Sequence, residues 1–219
     1  MDGEKGFVRM KILIAIPCFD MVHTDFMRSL MDLQKTDETC YTVIKNSLIY
    51  NARNTICTEA IRHGFDRVMW FDSDVVCEPD AMIRLSADMD SGKDFVSGIY
   101  FKRKKGTQPL IFKEIVYDVR ENEAHTGALV YTDYPRDQVF RIAGAGFGCV
   151  MTSVKLIKDL VDRYGAPFTP LMGIGEDVAF CYRASQIGAE LWCDSRVKCG
   201  HIGQTVFDEN CYLNEMERE

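Results

Sequence analysis

The chain has 219 residues, 26 of them basic and 33 acidic, for a formal net charge of −7. Hydrophobic residues make up 47% and charged residues 27%, which suits a folded α/β domain and argues against a general nucleic-acid binder. No apolar run approaches the roughly 18 residues that span a bilayer. Residues 1–9 lack the apolar stretch of a secretory signal, so the cytoplasm is the expected location and no transmembrane segment is expected.

Residues 11–16 (KILIAI) form a continuous apolar run closed by Pro17, the pattern of a buried parallel strand. Residues 24–33 carry Phe26, Leu30 and Leu33 at helical spacing, with Thr24 as the expected cap. Residues 41–44 read as a second strand. Residues 51–62 read as a helix that turns Ile56, Ala60 and Ile61 inward and has Gly64 past its end. Residues 67–71 (RVMWF) are another buried strand, running directly into Asp72-Ser73-Asp74. A further helix starts near Pro79 and stops before Gly92, and residues 95–101 supply one more strand. This βαβα order predicts a Rossmann-like, mostly parallel sheet with helices on both faces.

After Phe101 the texture changes. The basic cluster Lys102-Arg103-Lys104-Lys105-Gly106 opens a stretch of strand-like pieces around Ile111, Leu129 and Phe140. Glycine-rich Gly144-Ala145-Gly146-Phe147-Gly148 precedes a strand at 149–152 and a helix at 153–163. A loop at 165–175 leads into a helix at 176–187 with Phe180, Cys181, Ala184 and Ile187 along one side. A short strand at 190–193 is followed by His201 and a polar tail. With no internal repeat and no linker, a single domain over 1–219 is expected. The nine cysteines include no Cys-x-x-Cys pair and sit mostly in apolar segments, as buried free thiols do.

Asp72 and Asp74 are the strongest chemical signal. A buried strand delivers them to its carboxyl end, where ligands bind in open α/β sheets. Two carboxylates one residue apart can share a hard divalent cation such as Mg²⁺ or Mn²⁺, which in turn takes diphosphate oxygens. The plainer alternative is that they cap the helix near Pro79. Glu176-Asp177 open a helix, where the macrodipole alone favours acidic residues, or they hold a catalytic carboxylate. The glycines at 144–148 allow a backbone to approach a ligand, or simply turn the chain. His201, between Gly200 and Ile202-Gly203, has small neighbours that leave an imidazole accessible for an Asp/Asp/His metal set. Arg53 near a helix start opposes the dipole, which points to a phosphate or a cleft aspartate as its partner. The run Lys102 to Lys105 is either a solvated loop or a neutraliser of donor phosphates.

Taken in order, Ile14-Ala15-Ile16-Pro17-Cys18-Phe19-Asp20, Asn51-Ala52-Arg53-Asn54, Phe71-Asp72-Ser73-Asp74, Gly144 to Gly148, Gly175-Glu176-Asp177 and Gly200-His201 resemble the GT-A glycosyltransferases, family-2-like members in particular. The likeness spans roughly residues 10–203; each motif alone is weak and the ordered set is specific. It implies a donor-binding half over about 10–101 and an acceptor or catalytic half over about 102–203, with a smaller antiparallel part on the acceptor side. Pro17, Cys18, Phe19 and Asp20 would line the nucleotide pocket, with Phe19 as a wall for the base. Arg53, Asp72 and Ser73 would also face the donor. Asp72, Asp74 and His201 would hold Mn²⁺ or Mg²⁺. Gly146, Phe147 and Gly148 would lie beside the donor sugar or acceptor, and Asp177, with Glu176 beside it, would be the catalytic base. The implied activity is transfer of a sugar from a UDP- or GDP-sugar to a glycan or other hydroxyl acceptor, with inversion. The family's base-reading aspartate after the second strand has no clear match here.

Other readings fit parts of the pattern. A haloacid-dehalogenase-type phosphatase would use Asp72 as nucleophile and Asp74 as acid/base with Mg²⁺, although that motif normally ends the first strand. A non-catalytic nucleotide-sugar binder would leave every expected catalytic position filled for no purpose. A nucleotidyltransferase would need a glycine- and basic-rich turn after its first strand, and none is found.

Overall fold

The computed structural model describes residues 10–36, 38–103, 106–120, 123–203 and 206–216. Lys104 and Lys105 of the basic cluster, and residues 1–9, therefore lie outside the described residues.

Strand β1 (Ile12–Pro17) is buried along its whole length. Its side chains alternate between two cores, as a period of two demands: Ile12, Ile14 and Ile16 enter one, Leu13 and Ala15 the other. Helix α1 (Thr24–Asp32) covers the first face with Phe26 and Leu30. Strand β2 (Thr39–Ile44) pairs parallel with β1. Helix α2 (Ile49–Arg62) covers the other face with Ile56, Cys57 and Ala60. Strand β3 (Arg67–Phe71) pairs parallel with the other side of β1. Then follow β4 (Val75–Cys77), α3 (Ala81–Asp90) and β5 (Phe95–Ile99).

The second half contributes β6 (Ile111–Arg120), β7 (Glu123–Val130), β8 (Val139–Ile142), β9 (Gly144–Ala145), β10 (Cys149–Ser153) and helix α4 (Val154–Tyr164). Helix α5 (Glu176–Gln186), β11 (Leu191–Ile202), β12 (Val206–Phe207) and helix α6 (Glu209–Met216) complete the described chain. The large sheet runs β12-β11-β5-β10-β3-β1-β2, with β4 and β8 also on β11. Strands β2, β1, β3, β5 and β11 point the same way, and β10 is inserted antiparallel between β3 and β5. A smaller antiparallel sheet has the order β7-β6-β9. The fold is thus mixed α/β, with helices on both faces of the large sheet.

Several local expectations are corrected. The cap of α1 is His23, whose Nδ1 accepts from the Asp25 N–H at 3.2 Å, and Thr24 is already helical. The segment after Asp74 forms β4 against β11, so Asp72 and Asp74 do not cap α3, whose N-cap position is Asp80. The strand read at 190–193 extends to Ile202, because its register shifts between Cys193 and Lys198 and that break hides the alternation. The polar tail folds as α6, anchored by Tyr212, whose ring stacks on Phe101 at 5.4 Å. Among the described residues no helix is long and apolar enough to cross a membrane.

Candidate functional site

Strand β3 ends at Phe71 and sets Asp72 at the carboxyl edge of the sheet. The Asp72 N–H donates to the Gly148 carbonyl at 3.1 Å, across the β3–β10 junction. Asp72 faces Arg53, which rises from α2 with its side chain only 2% exposed. Arg53 Nη2 donates to Asp72 Oδ1 at 2.8 Å, and Nη1 donates to Glu176 Oε1 at 2.9 Å and also to Asp177 Oδ1. The guanidinium lies over the Phe147 and Phe168 rings, 5.4 and 5.7 Å from their centroids. One cation therefore gathers three carboxylates from two distant segments of chain. Burial works against the Arg53 charge, but Asp177, Asp72 and Glu176 outweigh it and raise its pKa.

Glu176 and Asp177 form the first turn of α5, whose N-cap, Gly175, provides no side-chain cap. Asp177 Oδ2 accepts from the Phe147 N–H at 3.2 Å. Burial pushes Asp177 up to about 7, Arg53 opposes that shift, and the Glu176 and Asp72 charges add to it. Three carboxylates on one guanidinium leave negative charge that favours a proton or another cation.

Segment 146–148 is held by Tyr100, just past the end of β5. The Gly148 N–H donates to Tyr100 Oη at 3.2 Å. A Cβ at Gly148 would come within 2.7 Å of the Tyr100 ring, and one at Gly146 would collide with its hydroxyl. The phenol sits deep enough, and close enough to Asp177 and Asp72, that its pKa is raised well above the ordinary value by burial and then by those charges.

Asp74 belongs to a second, more open group. Its Oδ1 is 3.5 Å from His201 Nε2, and its Oδ2 accepts from Arg103 Nη1 at 2.6 Å. His201 is aimed by its other nitrogen, Nδ1, 2.8 Å from the Phe101 carbonyl, and by the Tyr100 ring 5.3 Å away. Strand pairing brings this about, since His201 lies opposite Val75 in the β11–β4 ladder. Burial raises the Asp74 pKa, but the His201 hydrogen bond, then the His201 and Arg103 charges, outweigh it and hold the carboxyl below its ordinary value.

The structure thus joins Arg53, Asp72, Glu176, Asp177 and the Phe147 backbone in one group, and Asp74 with His201 in a neighbouring one. Phe147 does not offer its side chain to a ligand: the ring is fully buried among Trp70, Phe168 and Phe180, and only its N–H serves the site. Pro17 and Cys18 are buried at the end of β1, while Phe19 (76% exposed) and Asp20 stand in solvent. The Phe19 carbonyl accepts from the Asn46 N–H at 2.7 Å, tying that loop to the one after β2. Ser73 is half-buried between the two aspartates. Sequence reasoning missed Tyr100, whose partners lie more than forty residues away, and gave no role to Asn54, whose Oδ1 accepts from the Phe168 N–H at 2.9 Å.

The donor chemistry of Asp74 and His201 suits a divalent cation. A carbonyl can only accept, so His201 Nδ1 donates to Phe101, which leaves Nε2 as the nitrogen directed at the Asp74 carboxylate. Asp72, taken by Arg53, is not part of that pair, and among the described residues no three His, Cys, Asp or Glu side chains come together as a metal set.

No protein-family model matches the sequence, and no curated protein matches it. Among solved structures the chain is similar to the crystal structure of A197 from STIV, with a TM-score of 0.64 and 17% identity over 89% of this chain and 86% of that chain. At that identity the likeness is one of fold.

Proposed function

We propose that the protein is a GT-A-type glycosyltransferase that moves a sugar from a nucleoside diphosphate donor to an acceptor hydroxyl, with inversion. The observation that carries this reading is the convergence of Asp72, Glu176 and Asp177 on buried Arg53 at the carboxyl end of β3, one residue from the Asp74–His201 pair. Asp177 is the general base. With its pKa raised to about 7, it is matched to receive the proton of an acceptor hydroxyl near neutral pH as that oxygen attacks the anomeric carbon. Arg53 and the Phe147 N–H hold its two oxygens, which fixes the direction of approach. Tyr100 positions the segment carrying that N–H. Asp74 and His201 would hold Mn²⁺ or Mg²⁺, which when bound supplies Lewis-acid stabilisation for a leaving diphosphate. The exposed Phe19 offers a face for the nucleobase.

The experiment is thermal stabilisation by UDP, GDP, CDP and TDP, each with and without Mn²⁺, on wild type and Asp74→Asn. A ligand at about 100 times its Kd adds roughly 2.7 kcal/mol. A cation-dependent shift with one nucleotide, absent from the variant, is the expected result and identifies the donor class. No shift with any nucleotide defeats the proposal. An aspartyl-phosphate on Asp72 would instead identify a phosphatase.

A further inference from the structure

Arg103 holds the carboxylate that the transferase reading assigns to a cation. It follows β5 in the loop opened by Lys102, is about half exposed, and donates from Nη1 to Asp74 Oδ2 at 2.6 Å and to the Ile202 carbonyl at 3.4 Å. The opposite oxygen, Oδ1, faces His201 Nε2 at 3.5 Å. With Nδ1 directed at the Phe101 carbonyl, His201 turns Nε2 toward Asp74 Oδ1. Such a pair is satisfied by a proton on Nε2 or by a cation that both atoms ligate. A divalent cation there would share one small carboxylate with the Arg103 guanidinium, and at such separations two cations repel each other. Arg103 is the partner that can leave: its ion pair is partly solvated and so weak, and its loop is anchored by neighbours other than itself, such as the Lys102 N–H on the Gln108 carbonyl at 2.9 Å. Once free, a planar guanidinium beside the cleft is suited to grip phosphate oxygens in pairs.

We propose that Arg103 and a divalent cation compete for the Asp74 carboxylate, and that the displaced Arg103 binds the diphosphate arriving with the cation. The second step rests on the transferase reading; the competition does not.

The test is Mn²⁺ binding to the full chain, read by electron paramagnetic resonance, for wild type, Arg103→Gln and Asp74→Asn, with Mn²⁺ alone and with UDP or GDP added. Arg103→Gln is expected to bind Mn²⁺ alone about fivefold more tightly, the scale of one partly exposed ion pair. The same variant is expected to bind the diphosphate with Mn²⁺ several-fold more weakly than wild type, and Asp74→Asn to lose Mn²⁺ binding. Unchanged or weaker Mn²⁺ affinity in Arg103→Gln overturns the competition, as does undiminished affinity in Asp74→Asn. Tighter Mn²⁺ binding without nucleotide binding by either protein upholds the competition and overturns the second step together with the transferase reading.

Discussion

Asp72 and Asp74 stand one residue apart and inhabit different electrostatic surroundings. Asp72 is bound to a guanidinium that is 2% exposed and shared with two further carboxylates. Asp74 is bound to a guanidinium that is 49% exposed and to one imidazole. The backbone explains the split. Asp72 is still tethered to β10 through Gly148 and looks back at α2, whereas Asp74 has entered the turn leading to β4 and looks toward β11. A buried cation with several anionic partners is structural in its consequences, because Arg53 cannot lose those partners without being left charged out of water. A half-exposed pair exchanges partners readily. One short motif thus supplies both a rigid element and an exchangeable one.

The largest effect that sharpens this contrast is expected from Arg53→Leu. Removing the common partner leaves three carboxylates facing one another, and the loss is about 3–5 kcal/mol by urea denaturation at pH 8. The loss shrinks at pH 5, where Asp177, whose proton affinity is already raised, carries a proton and fewer charges face one another. Equal losses at both pH values would show that packing over Phe147 and Phe168, and not charge, is what Arg53 supplies.

Next comes Gly146→Ala, expected to cost about 1–3 kcal/mol because its Cβ collides with the buried Tyr100 hydroxyl. In the background of Tyr100→Phe much of that cost disappears, and a double-mutant cycle measures the difference. Additive effects would separate Tyr100 from the glycine segment.

Asp177→Asn tests the raised proton affinity. The folded protein retains a proton on Asp177 up to about pH 7, whereas the unfolded chain releases it near the ordinary value of about 4. The stability this contributes is present in full below about pH 4 and is lost as the pH rises toward 7. The Asn variant cannot ionise, so its stability is expected to fall less than that of wild type across that window. Parallel pH profiles would show that Arg53 keeps Asp177 ionised throughout. The smallest change is expected for Arg103→Gln, within about 1 kcal/mol of wild type in the same denaturation experiment. A loss comparable to that of Arg53→Leu would erase the distinction between the two aspartates.

Much of the framework was legible in the chain itself. Uninterrupted apolar runs such as Ile12 to Ile16 and Val68 to Phe71 can be satisfied only by burial on both faces, so the central strands were readable without neighbours. Arg53, a cation near a helix start, was legible as an anomaly needing an anionic partner. The short and irregular pieces were not legible. The bulge in β11 masks a strand of 12 residues, and α6 depends on Tyr212 finding Phe101, a contact no local pattern encodes.

Burial and periodicity are local properties, so the chain alone carries the α/β class, the central strands of the first half and the residue types available for chemistry. Which carboxylate meets which cation is set only in three dimensions. Arg53 is separated from Glu176 and Asp177 by 123 and 124 positions, and Asp74 meets His201 only because β4 pairs with β11. Charge pairing acts over a few ångströms of space, irrespective of distance along the chain, so it could be read only after the sheet had brought those segments side by side.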